Sequence, residues 1–398
     1  MDEVYWIWLQ SVLGAASRAA GAVLEQGISP YEIFQMNNAQ RRAKNIFTRL
    51  QLEKMQATSL RHAQEVYQNC VEVGYHILTP RRVEYPELLR HIASPPLVLY
   101  AQGELSVLNT PLPIGMVGAR KMSVYGGRAA EDLSRGLAMQ GFTIVSGLAV
   151  GIDAQCHQGA LDGGGKTVAV IGCGLDIAYP SANQELRYQI AKNGLVISEY
   201  PPGTPAVGHH FPIRNRIISG LSLGVIVVEA GRHSGSLITA GHALTQGRDV
   251  FAVPTDIYDP HGAGALHLIK QGAKLITCPL DVVEEYFWIY QDKLSEVPFP
   301  LNPAPVEQLT LLEPEENPKD KPKEDPKGRE ERKKRRYDFP DYLTKEQQQV
   351  LELLSAKPQH VELLLPKTEL TMYELLSIMT ELEIYGLVKA YPGKQFSL

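Results

Sequence analysis

The residue types in this chain that are best suited to chemistry are arginines and hydroxyl residues in glycine-rich turns. In the first such turn, Gly118 and Arg120 follow the apolar run 113–117. Glycine lets a ligand come close to the backbone, and an arginine guanidinium can hold a phosphate through two hydrogen bonds. A helix that begins after the turn adds free backbone N–H donors. The segment therefore indicates an anion site, with an ordinary strand-to-helix turn and a surface arginine as the alternative.

A second arginine segment lies at the start of a predicted helix. Pro212 precedes Arg214–Arg216, where an asparagine separates two arginines. Because proline is common at the first position of a helix, these residues fall in its first turn. Positive charge there opposes the helix dipole unless an anion binds nearby. We favour an anion, with salt bridges to acids such as Glu199 or Glu229 as the alternative.

Two further glycine-rich turns carry polar residues of different kinds. In one of them, Asp153 is expected to cap a helix, and His157 lies one turn further along the same face. These two side chains would make half of a metal site, but no third ligand is near, so we interpret them as a cap and a packing residue. In the other turn, Ser234 and Ser236 can cap a helix or bind phosphate. The turns together offer no nucleophile beside a base, which suits holding a polyanion more than breaking a bond.

Two partial motif matches point to nucleotide-binding proteins, but the order of their elements argues against both. Residues 160–167 nearly match the phosphate-binding loop of ATPases, yet Ala160 replaces the first glycine and the glycines precede a strand rather than follow one. Residues 172–174 resemble the start of a dinucleotide fingerprint. However, Ile177 stands in place of its third glycine, and Pro180 favours an extended loop where a helix should start. We therefore expect neither an ATPase nor an NAD-binding protein, and we predict no cofactor and no metal.

The elements that must position these turns are short apolar runs separated by helical stretches. Most of the runs are rich in valine and isoleucine and lack polar alternation, which is typical of parallel strands buried on both faces. The segments between them are long enough for crossover helices. The predicted fold class is therefore α/β, a Rossmann-like, doubly wound, mostly parallel sheet that brings the turns to one edge. The runs lie at 97–101, 113–117, 142–146, 167–171, 194–198, 224–228, 249–253 and 273–277.

Changes in composition divide the chain into four predicted parts. Residues 1–72 show apolar positions at helical spacing and predict an N-terminal helical module of the SAM or helix-hairpin-helix type. The Rossmann-like domain occupies residues 73–297. Residues 298–340 form a charged, proline-containing linker that we expect to be disordered, because it cannot bury enough apolar surface to offset its ordering entropy. Residues 341–398 form a last small domain.

That last domain has the pattern of a C-terminal winged helix. It predicts three helices, the third capped by Thr371, and a hairpin that turns at Pro392–Gly393. From residue 341 onward there are five Lys, no Arg, seven Glu and one Asp, a balance of −3. Because such a surface repels a phosphate backbone, we expect this domain to contact protein rather than DNA.

The whole composition narrows the class of protein further. The chain has 398 residues and a formal net charge of −5, so any basic site must be local. Its four cysteines are far apart, and none has the spacing of a zinc site, which favours reduced thiols and a cytoplasmic location. The N-terminus lacks the pattern of a signal peptide, and no apolar stretch is long enough to cross a membrane.

A set of motifs over about residues 80–280 resembles the DNA-processing protein A (DprA/Smf) family. The motifs are VGAR…S.YG, VSGLAVGIDAQCH, VAVIGCGLD.AYP..N, SEYPPG.P, FPIRNRIISGLS, VVEA…SGSLITA and GRDVFAVP, in this order. The resemblance implies a homodimeric protein that binds single-stranded DNA, loads RecA recombinase onto it, and acts in DNA uptake, natural transformation and recombination. It also implies a binding protein rather than an enzyme.

The same resemblance assigns a DNA-binding site. Arg120 is then a principal phosphate contact. Many family members have a lysine just before the FP of the fifth motif, where this chain has His209 and His210. We expect either histidine to take its place, although a neutral imidazole attracts phosphate poorly. The full set of expected DNA-binding residues is Gly118, Arg120, Ser123, Ser146, Gly147, His209, His210, Arg214, Asn215, Arg216, Ser234, Gly235 and Ser236.

Two other functions compete with this one. The fold class also resembles the LOG-type phosphoribohydrolases, which would make the protein a nucleotide-binding or nucleotide-hydrolysing enzyme. That family has a carboxylate on the helix after its glycine-rich motif, and the corresponding segment here, SLITAGHAL, has none. The third possibility is an interaction scaffold in which the linker and the winged helix recruit a partner.

Overall fold

The computed structural model describes residues 2–290 and 292–294, and it describes 343–397 except for 356–358, 369, 371–374, 376–377, 380, 384–386 and 392–394. Contacts divide the chain into two units, Met1–Pro305 and Val306–Leu398. The predicted linker at 298–340 lies outside the described residues. Among those residues, no helix is long and apolar enough to span a membrane.

The N-terminal part of the first unit is helical, as its apolar spacing predicts. Trp6 and Trp8 are almost fully buried and lie in a core that the helices share with the sheet. Ser29 begins the third helix with a reciprocal capping box to Glu32. The helices are α1 (Asp2–Leu13), α2 (Arg18–Glu25), α3 (Pro30–Gln35), α4 (Asn38–Ala43), α5 (Arg49–Ala57) and α6 (Arg61–Val73).

The rest of this unit is built on a nine-stranded sheet. Its strands are β1 (His76–Leu78), β2 (Leu99–Gly103), β3 (Pro113–Val117), β4 (Thr143–Ser146), β5 (Thr167–Ile171), β6 (Leu195–Ser198), β7 (Gly224–Val227), β8 (Asp249–Ala252) and β9 (Lys274–Leu275). Their order is β1-β2-β6-β5-β4-β3-β7-β8-β9. All eight predicted runs form strands, which confirms the fold class. β3 to β9 pair in parallel, whereas β2 is antiparallel to β1 and to β6.

Helices cover both faces of the sheet, because the central strands are apolar and buried on both faces. Ile114 and Met116 of β3 pack with one set of helices, and Val117 packs with the set on the other face. The helices are α7 (Glu87–Arg90), α8 (Val124–Met139), α9 (Ile152–Asp162), α10 (Gln184–Asn193), α11 (His210–Gly220), α12 (Ser236–Thr245), α13 (Ala263–Lys270) and α14 (Leu280–Tyr290). Short 3₁₀ helices occur at Leu105–Asn109 and Ser181–Asn183.

The strand order reverses at β3. From β3 the chain proceeds outward through β4, β5 and β6, and then returns to place β7 on the other side of β3. In open α/β sheets, the crevice beyond the carboxyl ends of the strands at such a point is where ligands bind. The turns after β3, β4 and β7 all meet at this crevice.

The described residues of the second unit have the elements of a winged helix. Thr344 caps the first helix through a capping box with Gln347. Leu375, Met379 and Leu382 lie in its apolar core. The predicted cap at Thr371 and the turn at Pro392–Gly393 lie outside the described residues. The elements are α15 (Lys345–Leu353), β10 (Gln359–His360), α16 (Val361–Leu364), a 3₁₀ helix (Leu365–Lys367), β11 (Lys389–Tyr391) and β12 (Gln395–Ser397), with β12 between β10 and β11.

Candidate functional site

A cavity of about 270 Å³ lies at the carboxyl ends of β3 and β7. Its walls come from the turns after β3, β4 and β7 and from the first turns of α11 and α12. The cavity combines apolar walls with a small number of polar groups, as ligand sites commonly do. Its lining residues are Val117, Gly118, Arg120, Ala149, Asp153, Gly208, Phe211, Pro212, Arg214, Asn215, Ile218, Ser234, Gly235, Ser236 and Thr239.

Arg120 is the exposed cation at the mouth of this cavity. Its guanidinium lies 5.2 Å from the ring centroid of Phe211, which is close enough for a cation–π interaction. No carboxylate in the described part of the chain forms an ion pair with it. Arg120 also borders a smaller cavity on the side of Gly147 and Tyr179. Its side chain is therefore held by an aromatic ring while its charge stays available to an anion.

Arg214 is the buried cation of the site. It is 4% exposed, and its Nη1 donates to the carbonyl oxygens of Gly147, at 2.7 Å, and of Val170. Burial lowers the pKa of Arg214 to about 10, while the neighbouring Asp153 acts in the opposite direction. The guanidinium thus remains charged at neutral pH. Its Nε has no hydrogen-bond partner among the described residues.

Gly147 is required by the close approach of these charged groups. A Cβ at this position would lie 2.4 Å from Nη1 of Arg214 and 2.6 Å from Oδ2 of Asp153. Gly118 has a similar role on the other side of the cavity, where a Cβ would lie 2.6 Å from Cγ2 of Ile152. Both glycines therefore shape the site by letting other side chains come close.

The expectation for Asp153 needs a correction. The helix α9 begins at Ile152 with Gly151 as its cap residue, so Asp153 lies inside the first turn and is not the cap. Its Oδ2 accepts a hydrogen bond from the backbone N–H of Ala149 at 3.4 Å. Burial raises the pKa of Asp153, and Arg214 opposes that rise. Asp153 therefore lies on the cavity wall beside Arg214.

His157 is a packing residue, as expected. It is fully buried, and its Nδ1 lies 2.7 Å from Oγ1 of Thr167. Burial lowers the pKa of His157 to about 3, so its ring is neutral at ordinary pH. No group of three potential ligands that could hold a metal ion is present among the described residues.

The start of α12 and the turn before it supply hydroxyl groups. The Oγ atoms of Ser234 and Ser236 lie 2.7 Å apart. The Asn215 side-chain amide donates to the carbonyl oxygen of Gly235 at 3.3 Å, which joins α11 to this turn. Thr239 also lines the cavity, and its buried Oγ1 has no partner among the described residues. Sequence reasoning missed Thr239 because a threonine one turn inside a helix gives no signal of its own.

Three of the expected contacts have other roles in the structure. Arg216 is buried, and its Nη2 donates to Oε1 of Glu199 at 2.7 Å, which is the salt bridge considered as the alternative. Ser146 is fully buried, and its hydroxyl donates to the carbonyl oxygen of Met116 at 2.6 Å. The Ser123 hydroxyl and backbone N–H both donate to the carboxylate of Glu229. None of the three lines the cavity, so its geometry does not support the predicted ligand contacts at these positions.

The two histidines before Phe211 also lie away from the larger cavity. His209 is exposed, whereas the ring of His210 stacks on Tyr200 with 4.0 Å between the centroids. Burial lowers the pKa of His210, and its Nδ1 lies 3.1 Å from the carbonyl oxygen of Gly172. Because a neutral ring that donates from Nδ1 has no hydrogen on Nε2, His210 is unsuited to replace a lysine as a phosphate contact.

Comparisons with known proteins agree on one family. Residues 76–287 match the family model described as DNA recombination-mediator protein A, and residues 337–394 match the DprA winged helix domain. The DNA processing protein DprA of Bacillus subtilis is 44% identical over 214 residues, which cover 54% of this chain and 72% of that protein. The protein of the same name from Streptococcus pneumoniae is 48% identical over 202 residues, or 51% of this chain and 71% of that one. An X-ray structure of DNA processing protein A from Streptococcus pneumoniae aligns with a TM-score of 0.63 and 39% identity, over 71% of this chain and 97% of that chain.

Proposed function

Since this chain belongs to the DNA recombination-mediator protein A (DprA/Smf) family, we propose that it binds single-stranded DNA at the cavity beyond β3 and β7. The observation that carries this proposal is the exposed guanidinium of Arg120, which Phe211 holds at the mouth of the cavity and which no described carboxylate neutralises. A DNA phosphate that binds Arg120 would supply the negative charge that pairs with its guanidinium.

The cavity suits a flexible strand better than a duplex. Its volume of about 270 Å³ is enough for one phosphate and its sugar, and only a single strand can bend its backbone into so small a space. Inside, Arg214, Asn215, Ser234 and Ser236 offer charged and neutral hydrogen-bond donors. Gly235 has open space where a Cβ would lie, so a strand can approach the backbone there.

We further propose the wider role that the family suggests. In this role the protein acts as a homodimer in the cytoplasm and transfers its bound strand to RecA recombinase during DNA uptake and recombination. The described cavity contains no nucleophile with a base beside it, so the proposed role is binding and not catalysis. The predicted parts of the chain (1–72, 73–297, 298–340 and 341–398) are the domains that we propose for this role.

The first test is fluorescence anisotropy with labelled single-stranded and duplex oligonucleotides over a series of salt concentrations. We expect tight, salt-sensitive binding to the single strand. Arg120→Ala should weaken it by roughly 10- to 100-fold and lower the salt slope by about 1, because one charge-assisted phosphate contact is lost.

Arg18→Ala is the matched control, since Arg18 is an exposed arginine on α2. It should bind like the wild type. Equal affinity for both kinds of DNA, or no effect of Arg120→Ala, would contradict the proposal. Release of a free base from nucleoside monophosphates would instead support the nucleotide-hydrolysing alternative.

A further inference from the structure

The turn after β8 displays two large apolar side chains that the fold does not bury. The backbone N–H of Asp259 donates to the carbonyl oxygen of Asp256 at 3.0 Å, which closes a β-turn. Ile257 and Tyr258 occupy its central positions and are 75% and 87% exposed. Central turn positions favour proline, glycine, asparagine and other polar residues. An isoleucine and a tyrosine there therefore need an explanation other than turn formation.

This turn is held in one conformation before any ligand binds. Oδ1 of Asp256 accepts from the backbone N–H of Tyr258 at 2.9 Å, and Oδ1 of Asp259 accepts from the N–H of His261 at 2.8 Å. Both carboxylates are thus engaged with the main chain of the turn. The apolar side chains are presented on a preorganised support, which reduces the entropy that a binding partner must remove.

A second pair of exposed apolar residues lies beside this turn. Val124 and Tyr125, in the first turn of α8, are 85% and 52% exposed. The Tyr125 hydroxyl donates to the carbonyl oxygen of Pro254 at 2.8 Å, which joins the start of α8 to the segment after β8. We call Val124, Tyr125, Ile257 and Tyr258 the edge platform.

The edge platform continues the candidate site along the same edge of the sheet. β3, β7 and β8 are neighbours in the sheet, so the turns that follow β3 and β8 are about 10 Å apart at the strand spacing of parallel sheets. The turn after β7 lies between them, and its Ala230 accepts a hydrogen bond from Gly264 beyond the β8 turn, at 2.6 Å. This middle turn carries the exposed Arg232. A chain that leaves the cavity at Arg120 therefore passes Arg232 and reaches the edge platform.

We propose that nucleobases of the bound single strand stack on the edge platform, next to the nucleotide held in the cavity. The inference rests on the proposed function and extends it from the phosphates to the bases. Arg120, Lys121 and Arg232 are exposed along this route, and the described residues provide none of them with an ion pair. Cations beside exposed aromatic rings are the combination that single-stranded nucleic acids recognise, since the cations contact the phosphates and the rings stack on bases.

The test measures the affinity of the wild-type full chain and of the Tyr258→Ser variant for two labelled oligonucleotides of equal length. One oligonucleotide consists of thymidines and the other of abasic sites. Tyr258 is so exposed that its replacement should not disturb folding. We expect the variant to bind the thymidine strand at least about fivefold more weakly than the wild type does, the lower limit for losing one base–aromatic stack. Its affinity for the abasic strand and its salt slope should be unchanged, because the phosphate contacts remain.

Tyr188→Ser is the matched control, since Tyr188 is 65% exposed on α10 and lies outside the edge platform. It should bind both strands like the wild type. If the wild type binds both strands equally tightly, or if Tyr258→Ser leaves thymidine binding unchanged, the edge platform does not stack bases although the proposed function stands. If Tyr258→Ser changes the oligomeric mass measured by light scattering and leaves DNA binding unchanged, the edge platform contacts a second copy of this chain. That result would overturn the inference. No binding of either strand by the wild type would mean that the proposed function itself has failed.

Discussion

At the scale of single residues, helix geometry decides which arginines reach the cavity. Arg214 and Arg216 are two positions apart in α11, and such residues point to different sides of a helix. Accordingly, Arg214 lines the cavity while Arg216 turns to Glu199 in the interior. Because the two arginines are close in sequence, the sequence suggested the same role for both, whereas the helical period gives them different roles. Applying the helical period to the motif would have predicted that only one of the two arginines faces the cavity.

The neutral, buried His157 makes stability depend on pH. Its pKa is about 3 in the folded protein, against 6.5 for the free side chain, so between these values only the unfolded state takes up the proton. The contribution of His157 to stability is therefore complete above about pH 6.5 and is lost as the pH falls toward 3. Between pH 7 and pH 5, the loss of this contribution should lower the free energy of unfolding by about 2 kcal/mol. Urea denaturation at the two pH values should show a smaller decrease for His157→Gln than for the wild type.

His209→Gln serves as the control for that measurement, because His209 is exposed. Its decrease between pH 7 and pH 5 should equal that of the wild type. An identical decrease in all three proteins would show that His157 does not carry this pH dependence.

At the scale of elements, a buried polar network fixes the position of α11. Oε1 of Glu199, which follows β6, accepts from Arg216 of α11 at 2.7 Å and from the Gln10 side chain of α1 at 3.1 Å. Gln10 in turn accepts from the backbone N–H of Leu97 at 3.0 Å. The network thus joins the N-terminal helices, the sheet and the helix that carries Arg214 and Asn215.

Removing the charge of Glu199 should therefore destabilise the protein strongly. Glu199→Gln leaves the Arg216 guanidinium buried without a counter-ion, which typically costs about 3–5 kcal/mol. Chemical denaturation would measure this loss. Glu104→Gln breaks an exposed ion pair with Lys166 and should cost less than about 1 kcal/mol. Equal effects of the two substitutions would contradict the account of the buried network.

The sequence was sufficient to predict the buried strands of the sheet and the edge on which the site lies. Short Val- and Ile-rich runs without polar alternation identify buried strands, and the fold class determines where their carboxyl ends meet. The direction of β2 could not be derived in this way, because its pairing with β6 depends on residues far along the chain. β1 is only three residues long and gave no periodic signal. The hydrogen bonds that occupy Ser123 and Ser146 likewise come from partners that only the tertiary fold brings near.

At the scale of the whole molecule, the candidate site and the acidic C-terminal segment lie in different units, so we expect the two units to differ in function. The segment from residue 341 onward has a balance of −3, while the cavity and its exposed arginines lie in the first unit. The unit Met1–Pro305 contains every residue that we propose to contact DNA.

Removal of residues 341–398 should therefore leave the affinity for single-stranded DNA within about threefold of the wild-type value, because an acidic domain adds no phosphate contact. Anisotropy with the same oligonucleotides measures this, and the truncated protein carrying Arg120→Ala provides the control. A tenfold or larger loss on truncation alone would show that the removed residues contribute to DNA binding.

The reversal of strand order at β3 also matters while the protein is being made. When β3 leaves the ribosome, β4 soon covers one of its edges, but its other edge stays open until β7 is synthesised. Pro113 and Gly224 begin these two strands, so 111 residues separate the starts of the strands. At typical rates of synthesis this takes on the order of ten seconds. During that interval the nascent chain exposes the unpaired backbone N–H and C=O groups along this edge of the apolar strand PIGMV, which is a site for association with other chains until β7 closes it.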